Sequence, residues 1–482
     1  MLKSPQVTRP NMKTLYLMLS LGALLCAPSA QRAYAHEKRD AADWTVLVYG
    51  AVDNDWEEPF MRDVRKMRKG LKGVKGVEVV LLIDRSPDYS RDKRALGEDF
   101  SDTRLYRITG GEAERLGGEP ELAGLTETSK LDLNTGDART LRDFIRYGKR
   151  AHPAERYALW CVSHGEGPMS CPDETTEDIL FTAELTDVLG EEDSVDLLGF
   201  DACLMASVEN AYQWRRREGA FGADFLVASA PLSSSWPYEE IFAGLKKRPK
   251  SGEGFTASAF GERLVDELKD QITGGRSDEH GLERDLQTWG SFDLGEVAAA
   301  KRDLDLLAAQ LWKDEAKDEL LALRGSGLES STFVYVWPER NANRDMPNVD
   351  LAHLCERITK DKSFSKEARS LADDAAKSAK AVVSSSFGLK HYEGFREGEH
   401  GLYLIFPEGD TKTRRGKTYW SRMGWYNALE LEGDEDGYGK YAWCMDGAEP
   451  ANGEVENWFE LMDAWFDISG SEDPGGSNGY AW

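Results

Sequence analysis

From Trp44 onward, apolar runs of strand length alternate with amphipathic segments. Thr45-Val46-Leu47-Val48-Tyr49-Gly50 is compact and β-rich, and after the turn Asp53-Asn54-Asp55 the apolar positions Trp56, Phe60, Met61, Val64 and Met67 recur at helical spacing. A second strand is expected over 77–83, closed by Asp84, and a third over 105–108. The mixed-charge stretch 85–102 between them reads as a surface hairpin or loop. This strand-helix-strand alternation predicts an α/β fold with a mostly parallel central sheet flanked by helices.

The pattern continues through a polar connection, 117–132. Asn134-Thr135-Gly136-Asp137 then precedes Leu141, Phe144, Ile145 and Tyr147, the spacing of a capped amphipathic helix. A buried strand over 157–163 ends in His164-Gly165-Glu166-Gly167. A second, over 195–201, ends in Phe200-Asp201-Ala202-Cys203, after which Leu204, Val208, Ala211 and Tyr212 recur at helical spacing. Residues 225–229 make another strand before the loop 230–238. Beyond about residue 250 the pattern changes to long helices (255–272, 295–312, 364–382) with short strands at 332–337 and 402–406. No tandem repeat is evident.

A cysteine between a strand and a helix stands near the positive end of a helix dipole, which favours the thiolate. The alternative is a small apolar residue buried under the helix, the commoner fate of a free cysteine. His164 shifts the balance. In open α/β sheets, functional groups gather outside the carboxyl ends of strands, so two strand ends can bring together a histidine and a cysteine 39 positions apart.

Charge and targeting narrow the partners. Lys3, Arg9 and Lys13 precede an apolar run over 15–25, and Ala33-Tyr34-Ala35 has the small residues a signal peptidase needs. Residues 1–35 are therefore expected to direct export, to a secreted, periplasmic or cell-surface location. They contain four basic residues and no acidic one, leaving 56 basic against 86 acidic side chains after cleavage. Such acidity disfavours nucleic acid and anionic membranes and attracts cationic peptides or proteins. No later stretch is apolar for long enough to span a bilayer. Cys161, Cys171, Cys203, Cys355 and Cys444 remain, an odd number open either to two disulfides or to five free thiols. The expected organisation is a linker at 36–43, a catalytic core at 44–250, and an α/β region at 251–482 that packs on and extends it.

The nucleophile block Gly199-Phe200-Asp201-Ala202-Cys203-Leu204-Met205 with Glu209, the motif His164-Gly165, and the first strand Leu47-Val48-Tyr49 with Asp53-Asn54 together resemble the clostripain-like cysteine peptidases of the caspase-fold clan. So do Asn134-Thr135-Gly136-Asp137, Ala158-Leu159-Trp160, Ser229 with Trp236-Pro237-Tyr238, Val349-Asp350-Leu351, and Gly401-Leu402 with Phe406-Pro407. The resemblance covers about residues 44–465. It implies a caspase-like sandwich and an endopeptidase working through a Cys203 and His164 dyad. The oxyanion would be held by the backbone N–H groups of Gly165 and Cys203.

Relatives cut after arginine or lysine, and Asp201 matches the acidic residue of their primary specificity pocket, with Ser229 and Trp236 as further substrate-binding positions. The competing role for Asp201 is a helix cap. No cofactor is required by this chemistry. Calcium serves some relatives, but no ligand set is assigned here: Asp434-Glu435-Asp436-Gly437 lacks the spacing of an EF-hand loop. Two departures stand out. The usually glycine-containing turn after Ser229 reads Leu232-Ser233-Ser234-Ser235, and Cys161 precedes the histidine motif, where its place within a strand marks it as core.

Many relatives mature by cutting themselves at a basic residue between histidine and cysteine. Residues 157–214 contain no lysine or arginine and 13 acidic residues, so no such cut is expected. Two rival functions stand beside this one: a caspase-fold binding module whose acidic cleft recruits cationic partners, against which the presence of both His164 and Cys203 argues, and an acyl or thioester hydrolase using the same dyad.

Overall fold

Alternation along β1 (Ala42–Val52) sets the architecture. Trp44, Val46, Val48 and Val52 enter one apolar cluster and Leu47, Tyr49 and Ala51 another, so the strand is covered on both faces. The computed structural model describes residues 42–246, 255–276, 281–325, 332–335, 347–407, 438–449 and 452–466. The expected signal segment, the 434–437 turn and Trp337 lie outside these residues.

Nine strands form the main sheet among the described residues, in the order β12 (Val383–Gly388), β10 (Thr288–Asp293), β9 (Ala223–Ser229), β8 (Val195–Asp201), β5 (Ala154–Val162), β1, β2 (Val77–Arg85), β3 (Thr103–Thr109), β4 (Glu112–Leu116). The five central strands, β9 to β2, are parallel. Both flanks are antiparallel: β3 and β4 on one side, β10 and β12 on the other. One face carries the helices Glu57–Gly70, Tyr238–Gly244 and Ala257–Thr273; the other carries Ala138–Ala151, Val297–Lys313, Leu351–Lys360 and Lys366–Val382. Two small antiparallel pairs sit outside the sheet, β6 (Met169–Asp173) with β7 (Asp178–Phe181), and β11 (Asn348–Asp350) with β13 (Tyr403–Ile405). No helix among the described residues is long and apolar enough to cross a membrane.

Local chemistry accounts for the expected helices. Asp137 accepts from the Arg139 N–H and caps Ala138–Ala151, whose Leu141, Phe144, Ile145 and Tyr147 are buried. Phe60, Met61, Val64 and Met67 are likewise buried beneath Glu57–Gly70, each such side chain contributing about 1.5–3 kcal/mol.

Three expectations are corrected. The start of the 85–102 stretch is not a surface feature: Arg85 is fully buried, bonded to the equally buried Glu57 at 2.5 Å and lying over the Phe100 ring. Pairing offsets part of the penalty a lone buried charge would carry, although burial still pushes the Glu57 carboxyl up. The expected 332–337 strand reduces to a single bridge, Val334 to Val349. Strands β4, β10 and β12, the first and last of them at the sheet edges, gave too short or too polar a signal to be anticipated. Finally, the helix expected directly after Cys203 begins only at Val208, because Leu204 adopts a left-handed conformation (φ 62°) that no right-handed helix can pass through.

Candidate active site

β5 and β8 run side by side with Val162 opposite Asp201. Parallel neighbours lie about 4.8 Å apart, so His164 and Cys203, each two residues further on, leave the sheet together at its carboxyl edge. The backbones touch there. A Cβ on Gly165 would stand 2.6 Å from the Cys203 carbonyl oxygen and 2.8 Å from Met205 Sδ, so this position accepts only glycine. Gly165 faces Ser170 across an isolated bridge closed by Glu166 N–H to the Met169 carbonyl (2.9 Å) and Cys171 N–H to the His164 carbonyl (3.1 Å). In that narrow pairing the Gly165 N–H points away from Ser170.

Cys203 is half-buried, and its Sγ accepts a hydrogen bond from the Ser233 N–H at 3.2 Å. The turn around it is tied down from two sides. Leu204 N–H donates to the Pro231 carbonyl (2.8 Å) and Ala206 N–H to the Ser229 carbonyl (3.0 Å). From the C-terminal region, Tyr403 donates its hydroxyl to the Leu204 carbonyl and its N–H to Ala206. Ser207, rather than Asp201, caps the short helix Val208–Gln213. The helix-dipole contribution expected at Cys203 is therefore replaced by an N–H from the 230–235 loop.

On the histidine side, Nε2 of His164 lies 2.6 Å from Asp55 Oδ1, leaving Nδ1 as the ring nitrogen open to proton exchange. The Trp56 ring packs edge-on at 5.9 Å. Asn54 holds this turn in place, donating to Ser163 Oγ (3.1 Å) and the Pro172 carbonyl (2.9 Å). Asp55 is the carboxylate that sequence reasoning did not assign. Its only signal was the acidic turn closing β1.

Asp201 lies fully buried beneath the cysteine turn. Its carboxylate accepts from Tyr238 Oη (2.8 Å), Ser233 Oγ (3.3 Å) and the Trp236 N–H. Burial, with the nearby Asp63 carboxylate, pushes its pKa up to about 8 against these donors. Ser229 is buried and donates to the Leu232 and Thr288 carbonyls, shaping the loop rather than facing solvent. Trp236 is also fully buried, packed against Trp160, Tyr238 and Trp289. Cys161 is 1% exposed, a core thiol, and its pKa is raised well above the ordinary range by the adjacent Cys171 and by burial.

The later motif residues brace the site from a distance in sequence. Buried Glu209 accepts from the Ile405 N–H at 2.8 Å, and burial raises its pKa to about 7. Asp350 caps the helix Leu351–Lys360 and accepts from Tyr335 Oη (2.6 Å) and the Gly401 N–H (2.8 Å).

Comparison with known proteins shows the family. A family model described as the clostripain family matches residues 48–465. Clostripain of Hathewaya histolytica is 35% identical over 485 aligned positions, covering 91% of this chain and 89% of that protein. Among solved structures, an inactive zymogen C11 protease from Parabacteroides distasonis superposes with a TM-score of 0.50 at 17% identity, over 76% of this chain and 90% of that one. A secreted C11 cysteine protease from Bacteroides thetaiotaomicron, in complex with an irreversible peptide inhibitor, gives 0.50 at 16% identity over the same shares. These two share the fold. With the family model spanning most of its length, this chain belongs to the clostripain family and is a cysteine peptidase.

Proposed function

We propose that the chain is an exported endopeptidase that cleaves after arginine or lysine through Cys203 and His164. The observation that carries this reading is the register of β5 on β8, which sets a histidine and a cysteine on adjacent strand ends above the buried carboxylate of Asp201. The Cys203 thiolate attacks the scissile carbonyl, and the oxyanion is stabilised by the N–H groups of Gly165 and Cys203. Imidazolium of His164 gives its proton to the departing amine, leaving a thioester on Cys203. Water then attacks, His164 takes its proton, and the acid is released as the thiolate re-forms.

Specificity follows from Asp201. A guanidinium or ammonium meeting a carboxylate in a desolvated pocket gains charge-assisted hydrogen bonds, and arginine gains most from a paired contact. Ser233 and Trp236, which donate to Asp201, tie the specificity residue to the same loop that holds the nucleophile. Ser229 shapes that loop from beneath. Export is supported by the leader-like sequence of residues 1–35 and by the secreted protease among the structural relatives.

The test is a fluorogenic peptide panel with arginine, lysine, aspartate or leucine before the cut, run on wild type and Cys203→Ala. Hydrolysis after arginine and lysine, lost in Cys203→Ala, is expected. Activity that survives Cys203→Ala rejects the mechanism, and preference for aspartate rejects the role of Asp201.

A further inference from the structure

The chain carries 86 acidic against 60 basic residues, yet one of its cavities is lined mainly by cations. It measures about 400 Å³ and lies between the helix Glu57–Gly70 and the loop that leaves β2. Arg62, Arg65, Arg91, Lys93 and Arg94 line it, against two carboxylates, Glu58 and Asp92. Both carboxylates are already engaged, Glu58 by Arg62 at 3.1 Å and Asp92 by Arg65 at 2.5 Å and Arg94 at 3.5 Å. Arg91 and Lys93 are exposed, and among the described residues neither stands in an ion pair. Five positive charges against two negative ones, in a molecule whose field is otherwise negative, make this cavity a well for anions.

The loop is held from inside. Buried Arg85 donates to the Ser90 and Asp92 carbonyls, both at 3.3 Å, and its partner Glu57 accepts from the Ser90 N–H at 3.0 Å. Arg68 donates to the Ala95 carbonyl at 2.8 Å. The buried pair thereby fixes the backbone that presents Arg91 and Lys93, which lowers the ordering cost of binding there. The cavity also adjoins the histidine turn. Tyr89, on its rim, donates to Glu174 at 2.7 Å, and the Glu174 N–H donates at 3.0 Å to the carbonyl of Asp53, two residues before the Asp55 that bonds His164. The hydrogen bond to Glu174 and, more weakly, the Asp55 carboxylate push the Tyr89 hydroxyl up to about 12, as expected of groups that close.

We propose that this cavity is a subsite for an acidic side chain of the peptide substrate, about three to five residues beyond the cut on the leaving-group side. The proposal rests on the reading of Cys203 and His164 given above. His164 hands its proton to the departing amine, so the chain that leaves with this amine passes on the side of His164, Asp55 and Tyr89. Arg62 and Arg65 follow Asp55 by seven and ten residues, which at 1.5 Å per helical residue is about 10–15 Å. An extended peptide covers that span in about three to five residues. Guanidinium groups suit a carboxylate through paired, charge-assisted hydrogen bonds. Close to the cut the sign is opposite, since Asp55 repels an acidic residue there. The helix Glu57–Gly70 thus has an acidic pocket on one side, where Asp63 accepts from Ser235 of the nucleophile loop near Asp201, and a basic one on the other.

The test uses internally quenched peptides with arginine before the cut and otherwise neutral residues, made in pairs with aspartate or asparagine at each of the first six positions after it. Within each pair kcat/KM is compared on the full-length enzyme. The aspartate to asparagine ratio is expected to lie below one at the first position and to rise to about 2- to 5-fold at the third to fifth. It falls back toward one in about 0.5 M sodium chloride. Arg91→Gln with Lys93→Gln brings the distal ratio to near one and leaves the ratio at the first position as it was. Arg91→Glu with Lys93→Glu takes the distal ratio below one. Each value is a ratio within one preparation, so a partly unfolded variant does not distort it. A ratio of one or less at every position in the wild type, or a distal preference that survives both double variants, overturns the subsite while leaving the peptidase reading intact. Failure to cleave the asparagine peptides as well overturns that reading, and the subsite with it.

Discussion

The buried carboxylate of Asp201 makes the most demanding prediction. Asp201→Asn keeps the shape and one acceptor oxygen, its amide nitrogen now donating to the hydroxyl of Tyr238 or Ser233, but removes the charge that would meet a basic side chain. Deleting one partner of a buried, hydrogen-bonded charge pair costs about 2–5 kcal/mol, or about 30- to 5000-fold in kcat/KM for an arginine substrate. The structure adds a pH signature. With a pKa of about 8 in the free enzyme, Asp201 is about 10% ionised at pH 7 and about 90% at pH 9, and apparent affinity scales with the ionised fraction. The wild-type to Asp201→Asn ratio of kcat/KM therefore rises about tenfold between pH 7 and pH 9. Because both enzymes share Cys203 and His164, the ratio cancels the titration of the dyad. The assay is steady-state hydrolysis of matched arginine and leucine peptides across that range. A ratio near one for arginine, equal losses for both peptides, or a ratio that falls with pH refutes the assignment.

Other outcomes follow from single contacts. Asp55→Ala removes the His164 partner at an exposed position and is expected to lower kcat by about 2- to 10-fold with KM unchanged, read from saturation kinetics. Gly165→Ala drives a methyl group against the Cys203 carbonyl; about 1–3 kcal/mol of stability and about 100-fold of activity should be lost, measured by thermal melts and kinetics. Purified active enzyme should show no cleavage between His164 and Cys203 in denaturing mass spectrometry, and two fragments divided there would contradict this. Glu209 binds its proton more tightly folded than unfolded, so stability falls as pH rises from about 4.5 through about 7; Glu209→Gln should flatten that slope in denaturation curves across the same window.

Much of this molecule is legible along the chain because its central strands are buried on both faces and read as unbroken apolar runs. Each of the runs at β1, β5, β8 and β9 announces itself, as do His164 and Cys203 at two of their ends. The charged, short or serine-rich strands β4, β10 and β12 do not, since their pairing comes from neighbours and not from their own composition. Sequence alone determined the α/β alternation, the family and the candidate dyad, properties carried by local pattern and motif. Tertiary structure alone decided which distant groups meet. Asp55 reaches His164 from 109 positions away, Ser233 brings its N–H to Cys203, and Tyr403 and Ile405 brace the nucleophile turn and Glu209 from nearly 200 positions downstream. The carboxylates of Asp53, Asp84 and Asp173 are ordinary strand-end residues in the sequence. Only the tertiary fold, which brings the end of β6 against the ends of β1 and β2, buries all three in one place.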